Sequence, residues 1–97
     1  MYNLTLLAPS VDPLKNWTSW NPGPLENVVK DDYQKYLNRH EPDYFELGTS
    51  FYEDLSGKHA VKAQGGRKGY YTIYIFEYDK NNARVKIIKW ADGGYGC

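Results

Sequence analysis

Cationic and aromatic side chains are interleaved along the second half of the chain. The residues concerned are Lys58, Lys62, Arg67, Lys68, Tyr70, Tyr74, Phe76, Arg84, Lys86 and Trp90. Aromatic rings stack on nucleobases and cations meet phosphates, so this combination is typical of surfaces that bind single-stranded nucleic acid. We therefore expect these residues to contact single-stranded RNA or DNA, or a nucleoprotein.

The charge of the chain is divided along its length. Residues 1–55 carry four cations and nine anions, whereas residues 56–97 carry eight cations and three anions, so the net charge of zero hides a −5 half and a +5 half. A basic half is typical of proteins with an anionic partner. Attraction between the two halves within the fold explains the same asymmetry equally well.

Two histidines, His40 and His59, are the only side chains that ordinarily titrate near neutral pH. RNA cleavage needs a base and an acid that flank one phosphate, and the histidines, alone or with Glu41 or Glu53, are the candidates. His40 ends a predicted helix, where the helix dipole favours a cationic imidazole. His59 falls on the face of a strand that we expect to be buried. We therefore predict structural roles for both and no catalytic residue.

No pattern in the sequence predicts a metal or a cofactor. The histidines and carboxylates lack the spacing of metal ligands, and the single cysteine, Cys97, cannot form an internal disulfide. The loop at residues 65–69 is rich in glycine and could offer backbone N–H groups to a phosphate, but it lacks P-loop spacing and is explained as a hairpin loop. The sparse cysteine, and the absence of a signal-like or long apolar segment, favour a cytoplasmic protein with no membrane partner.

The elements that would position these residues fit one domain over residues 1–97. A helix is predicted over residues 24–40, because Pro24 suits a first helical position and Pro42 disfavours continuation. Apolar residues recur within it at the spacing of one buried stripe. The predicted stripe consists of Leu25, Val28, Val29, Tyr33, Tyr36, Leu37 and His40.

Alternating patterns predict strands on both sides of this helix. Residues 2–8 form a short first strand, and a three-stranded meander spans residues 58–90, with strands at 58–64, 70–78 and 84–90. Residues 44–47 are compatible with one more short strand. We therefore predict an α+β fold, with one amphipathic helix packed on an antiparallel sheet that comprises this meander and the short N-terminal strand.

The register of the meander decides which side chains share a face. If each five-residue loop, at 65–69 and 79–83, closes a simple hairpin, Tyr78 faces Arg84 and Tyr74 faces Ala60. One face then carries the cations Lys58, Lys62, Arg84 and Lys86 with the rings of Tyr70, Tyr74, Phe76, Tyr78 and Trp90. The opposite face carries Val61, Ala63, Tyr71, Ile73, Ile75, Val85 and Ile87, and we expect it to receive the helix.

Two tryptophans occupy the long connection at residues 9–23. Trp17 and Trp20 lie between prolines, with no periodic pattern around them. Tryptophan is enriched where proteins bind one another, so the pair could anchor a protein partner. In so small a domain the same rings could instead cover the core, and the sequence leaves both interpretations open.

The strands that run from residues 69–73 to residues 87–90 resemble the late strands of RelE-type ribonuclease toxins. This resemblance implies a basic strand pair that holds RNA, and cleavage by general acid–base chemistry. In size and class the chain is also similar to inhibitor and accessory proteins of phages and other mobile elements.

These observations favour a small, non-enzymatic binding or inhibitor module that contacts a nucleic acid or nucleoprotein through its basic and aromatic sheet face. One alternative is a small ribonuclease of the RelE or barnase kind. Another is a protein–protein inhibitor, of the anti-defence type that phages and mobile elements encode, which would engage a host protein through the acidic helix and the tryptophan loop. The oligomeric state is left open.

Overall fold

The computed structural model describes residues 3–6, 12–67 and 70–94. Its elements are β1 (Asn3–Leu6), β2 (Thr18–Ser19), α1 (Leu25–His40), β3 (Phe45–Glu53), β4 (His59–Arg67), β5 (Tyr70–Tyr78) and β6 (Arg84–Gly94). The helix packs on a sheet in which β2 to β6 are antiparallel. The predicted α+β class is confirmed.

The six strands are ordered β1-β6-β5-β4-β3-β2. Strands β4, β5 and β6 form the predicted meander, and β1 lies parallel to β6 at one edge. The strand expected at residues 44–47 is longer than predicted, since β3 runs to Glu53 and pairs with β4 over most of its length. In the long connection, residues 13–16 form turns and β2 pairs with the end of β3.

Helix α1 matches its predicted bounds within one residue. Pro24 precedes it with φ −65°, a value already helical, and Glu41 follows its last residue. The Glu41 N–H donates to the Leu37 carbonyl at 2.7 Å, which satisfies one of the carbonyls that a helix end leaves open.

The buried side of α1 is narrower than the predicted stripe. Val29, Tyr33 and Leu37, four residues apart, are at most 4% exposed. Leu25 and Val28, also predicted to be buried, are 36% and 57% exposed. One ridge of the helix therefore faces the sheet, with Tyr36 half-buried beside it and His40 exposed.

The register between β4 and β5 differs from the expected one. Strand β4 continues through both glycines to Arg67, which pairs with Tyr70, so two residues instead of five connect the strands. Tyr74 consequently pairs with Ala63 and not with Ala60, a shift of three positions. Because side chains alternate with period two, an odd shift turns the whole of β5 over relative to β4.

The register of the β5–β6 hairpin agrees with the prediction next to its turn and differs from it further along the strands. Tyr78 pairs with Arg84, but Glu77 pairs with Lys86, so Val85 lies outside the ladder and is 40% exposed. This bulge places Phe76 opposite Ile87 instead of Lys86. The assignments of Tyr71, Ile73, Ile75 and Val85 to the helix-facing side were therefore wrong.

Both faces of the sheet carry buried apolar side chains. The helix-side core consists of Val29, Tyr33, Leu37, Val61, Ala63, Tyr74, Phe76, Tyr78 and Ile87. The second core consists of Leu14, Ala60, Ile73, Ile75 and Ile88, with Trp17, Tyr52, Tyr71 and Trp90 packed around it. The sheet is thus covered by α1 on one side and in part by residues 14–17 on the other.

Substituting Leu37 by alanine tests the helix-side core. Leu37 is 4% exposed, so Leu37→Ala should lower the free energy of unfolding by about 2–5 kcal/mol. The matched control, Val28→Ala, removes methyl groups from an exposed position of the same helix and should change it by less than about 0.5 kcal/mol. Denaturant unfolding measures both, and equal effects would contradict this orientation of α1.

Candidate anion-binding site

The structure does not assemble the predicted platform of rings and cations. Tyr74, Phe76 and Tyr78 lie beneath α1 and are 3%, 0% and 0% exposed. A nucleobase cannot stack on a ring that is closed on both faces by the core. The prediction that these rings form an open surface was wrong, because the register of β5 turns them toward the helix.

Three of the predicted binding residues, Lys62, Lys86 and Trp90, lie on the other face of the sheet from those rings. Lys62 and Trp90 lie beside the second core, where the Lys62 Nζ stands 5.1 Å from the centroid of the Trp90 ring. Lys86 is in register with Glu77, so this face does not have a uniform sign of charge. Lys58 directly precedes β4, and its backbone N–H donates to the Asp54 carboxylate.

The loop between β4 and β5 is only partly described. The backbones of Arg67 and Tyr70 pair with each other at the ends of the strands. Their side chains, and all of Lys68, lie outside the described residues. The predicted contribution of these three residues to binding therefore stays a prediction.

Both tryptophans of the long connection are half-buried and contact the fold. Trp17 packs against the second core. The Trp20 ring stacks on the His59 imidazole with centroids 3.7 Å apart, and His59 Nε2 lies 3.1 Å from a Glu53 carboxylate oxygen. The other ring nitrogen of His59 is buried, so this histidine is a part of the packing and not an accessible base.

A polar pocket lies between the C-terminal half of α1 and the start of β6. Its volume is about 160 Å³, and its lining consists of Asp32, Lys35, Tyr36, Arg39, His40 and Arg84. Five of these residues belong to α1 at spacings that place them on one side of the helix. The sixth, Arg84, comes from β6 across the groove.

Arg84 is held in place by groups from two other elements. Its Nη1 donates to Asp32 Oδ2 at 3.1 Å, and the Tyr78 hydroxyl donates to the same oxygen at 2.7 Å. Burial and the neighbouring carboxylate of Asp32 raise the pKa of the Tyr78 phenol, so the hydroxyl stays protonated and remains a donor. Asp32 thereby links α1 to both strands of the β5–β6 hairpin.

The ring of Tyr36 forms an aromatic wall of the pocket. The Arg84 guanidinium carbon lies 5.1 Å from its centroid, a cation–π distance, and the His40 ring centroid lies 4.4 Å from it. These contacts gather a guanidinium and an imidazole around one ring. Only 15% of the Arg84 side chain is exposed, so its cation is also partly shielded from water.

The pocket lining carries an excess of positive charge. Lys35, Arg39 and Arg84 are cations, and Asp32 is the one carboxylate among the lining residues. Lys35 also contacts Asp31 at 3.1 Å, but both side chains are well exposed and such pairs contribute little. Lys35 can therefore turn toward an anion at small cost. The arrangement is suited to a phosphate-sized anion.

Of the pocket residues, only Arg84 was predicted as a binding residue from the sequence. The sequence does not single out Lys35, Tyr36 or Arg39 for binding, and for His40 it predicts a structural role instead of a catalytic one. The signal that could have found them is a pair of i, i+4 relations on α1, Lys35 with Arg39 and Tyr36 with His40.

Comparisons with known proteins do not assign this chain to a family. No family model, no curated protein and no solved structure matches the chain. Within the described residues, no group of three or more histidine, cysteine or acidic side chains is placed to hold a metal ion. No helix in the same part of the chain is long and apolar enough to cross a membrane.

Removing the Tyr78 hydroxyl tests the link that positions Arg84. Tyr78→Phe takes a buried donor from the Asp32 carboxylate and should lower the free energy of unfolding by about 1–2 kcal/mol. Tyr52→Phe, at a half-buried tyrosine on the other side of the sheet, is the control and should have a smaller effect. Thermal or denaturant unfolding measures both, and a loss below about 0.5 kcal/mol for Tyr78→Phe would contradict the link.

Proposed function

We propose that this chain is a small binding protein that takes a phosphate group of single-stranded nucleic acid into the pocket between α1 and β6. The observation that supports this function is the convergence of Lys35, Arg39 and Arg84 on one recess of about 160 Å³. The proposal keeps the partner class expected from the sequence and moves its site from the sheet face to the flank of the helix.

The chemistry of the lining fits a phosphate group. Guanidinium groups donate parallel hydrogen bonds to phosphate oxygens, and an ammonium group adds a mobile point charge. Because Asp32 and Tyr36 already orient Arg84, little side-chain entropy is lost when an anion binds. The volume is well below the roughly 300–1,000 Å³ typical of pockets for drug-sized ligands, so a phosphate enters while the nucleoside remains outside.

A chain of phosphates fits this flank better than a single free anion. Lys89 pairs with Tyr74 and so lies on the helix-bearing face of β6, further along the same strand as Arg84. Cations spaced along one strand can meet successive phosphates of a backbone. A flexible single strand can enter a recess between a helix and a sheet, whereas the phosphates of a duplex are held on a rigid cylinder.

Charge reversal at the exposed pocket residues tests this function. Lys35→Glu and Arg39→Glu should each weaken binding of a single-stranded oligonucleotide by tenfold or more, and each should reduce the slope of log affinity against log salt by about one. Lys15→Glu and Lys80→Glu make the same change of charge at exposed positions outside the pocket and should have little effect. Fluorescence anisotropy over a salt series measures all four.

Two results would contradict the proposed site. One is equal loss of affinity in the pocket variants and in the controls, which would mean that only overall charge matters. The other is a loss in Lys62→Glu and Lys86→Glu with none in the pocket variants. That second result would return the interface to the opposite side of the sheet, as first expected from the sequence.

RNA cleavage is a second candidate function, and the position of His40 favours it. Its exposed imidazole lies at the edge of a pocket suited to phosphate, where a base or an acid for phosphodiester cleavage would be required. We expect the wild-type protein to bind RNA and leave it intact. Cleavage that disappears in a folded His40→Ala variant, but persists in Asn38→Ala, would replace binding by catalysis.

A further inference from the structure

The outer edge of β3 is open over half of its length. Strand β2 pairs with β3 only at Tyr52 and Glu53, and the Trp20 N–H adds one bond to the Phe51 carbonyl. In the described part of the chain, no strand pairs with the outer edge of residues 45–50. Open backbone N–H and C=O groups at a sheet edge are a template for pairing with another extended segment.

This edge carries one charge, at Glu46, and a bulge at Leu47, but it lacks other common protections of an open strand. Residues 45–50 contain neither lysine nor proline, which commonly block exposed edges. Phe45 and Leu47 are 48% and 61% exposed, and Leu47 lies outside the ladder where the register shifts between Glu46 and Gly48. The edge therefore offers apolar surface together with its backbone groups.

A second cavity adjoins this edge on the side of α1. Its volume is about 240 Å³, and it is lined by Gln34, Leu37, Asn38, Tyr44 and Glu46. Two amide groups and one carboxylate supply hydrogen-bond acceptors, Tyr44 supplies an aromatic wall, and none of the lining residues is a cation.

The wall of this cavity is held firmly against the sheet. The Tyr44 ring lies over Gly65, where a Cβ would overlap the ring and the Phe45 carbonyl. Tyr44 also meets Tyr74 edge to face, with centroids 6.2 Å apart. On the other side, Glu46 Oε1 accepts from the Tyr33 hydroxyl at 3.2 Å, which fixes the carboxylate beside the cavity.

The negative charge of Glu46 contributes to raised pKa values of the two neighbouring tyrosines. Burial chiefly, with the nearby carboxylate, raises the pKa of Tyr33 to about 12. Burial and Glu46 also raise the pKa of Tyr44 above its ordinary value.

We propose that this flank of the molecule binds an extended, basic segment of a protein partner. The segment pairs with residues 45–50 as an added strand, and one of its arginine or lysine side chains enters the cavity beside Glu46. Apolar side chains of the same segment cover Phe45 and Leu47. This is the β-augmentation mode, in which the backbone supplies affinity and the pocket supplies specificity.

Charge complementarity favours a basic partner over a second copy of this chain. Residues 43–50 contain no lysine or arginine, so a second copy of the same β3 edge would bring no cation of its own to Glu46. A basic segment instead meets a carboxylate, amide oxygens and an aromatic ring.

The probe for this proposal is a short, capped peptide in which arginine alternates with valine. In a titration followed by NMR, it should shift the backbone amide signals of residues 45–50 and the side-chain amides of Gln34 and Asn38. Glu46→Gln should weaken the affinity about tenfold, the equivalent of one charge-assisted hydrogen bond. The matched control, Glu26→Gln, removes an exposed carboxylate from the first turn of α1 and should leave the affinity unchanged.

Two altered peptides separate the charge of the segment from its backbone. Replacing each arginine by glutamate should abolish binding. Methylating alternate backbone nitrogens keeps every charge but removes donors to the strand edge, so it should weaken binding at least tenfold.

The proposal is overturned by any of three results. The first is equal binding of the peptide and its N-methylated form, which would indicate charge attraction alone. The second is a dependence of the amide shifts of residues 45–50 on protein concentration without peptide, which would mean that a second copy occupies the edge. The third is displacement of the peptide by a single-stranded oligonucleotide that itself shifts these amides, which would assign the edge to nucleic acid.

Discussion

The rest of the molecule depends on the pairing of Val61 in β4 with Phe76 in β5. This pairing sets the register of β5 against β4. Because side chains alternate along a strand, the rings of Tyr74, Phe76 and Tyr78 then all lie in the helix-side core. An odd shift would exchange these rings for Ile73 and Ile75. The hydroxyl of Tyr78 then could not reach Asp32, and the helix would lose this polar link to β5.

Asp32 connects this register to the geometry of the candidate pocket. Its carboxylate accepts from Tyr78 and Arg84 at once, so one side chain of α1 is bound to both strands of a hairpin. Arg84 is consequently held between Asp32 and the Tyr36 ring, in the lining of the pocket that also contains Arg39. The attraction between the acidic and basic halves of the chain is thus realised within the fold at this ion pair. The cations around it are left to face the pocket.

The sequence predicted the helix, the meander and the pairing of Tyr78 with Arg84, because each has a local signal. It could not predict which face of β5 meets the helix, since both faces of that strand are apolar and both are buried. The glycines at 65 and 66 were also misleading. Their pattern predicts a loop, but they belong to β4, and Gly65 is required by the close approach of the Tyr44 ring.

The candidate site could be predicted only in part for a related reason. Lys35 and Arg39 stand on an exposed helix surface, where cations are common, and nothing local distinguishes them. They become a candidate site only when β6 brings Arg84 to the same recess, a long-range contact that follows from the pairing of Arg84 with Tyr78 and from the packing of α1. The helix also separates this cationic recess from the acidic cavity at β3, so the two flanks differ in charge.

Cross-strand nuclear Overhauser effects between β4 and β5 test the central claim most directly. The structure predicts contacts that place Val61 beside Phe76 and Ala63 beside Tyr74, with the rings of β5 also close to Tyr33 of the helix. Contacts that place Ala60 beside Tyr74 and Lys58 beside Phe76 would contradict it. They would turn the rings of β5 away from the helix, to the face of the sheet that carries the second core.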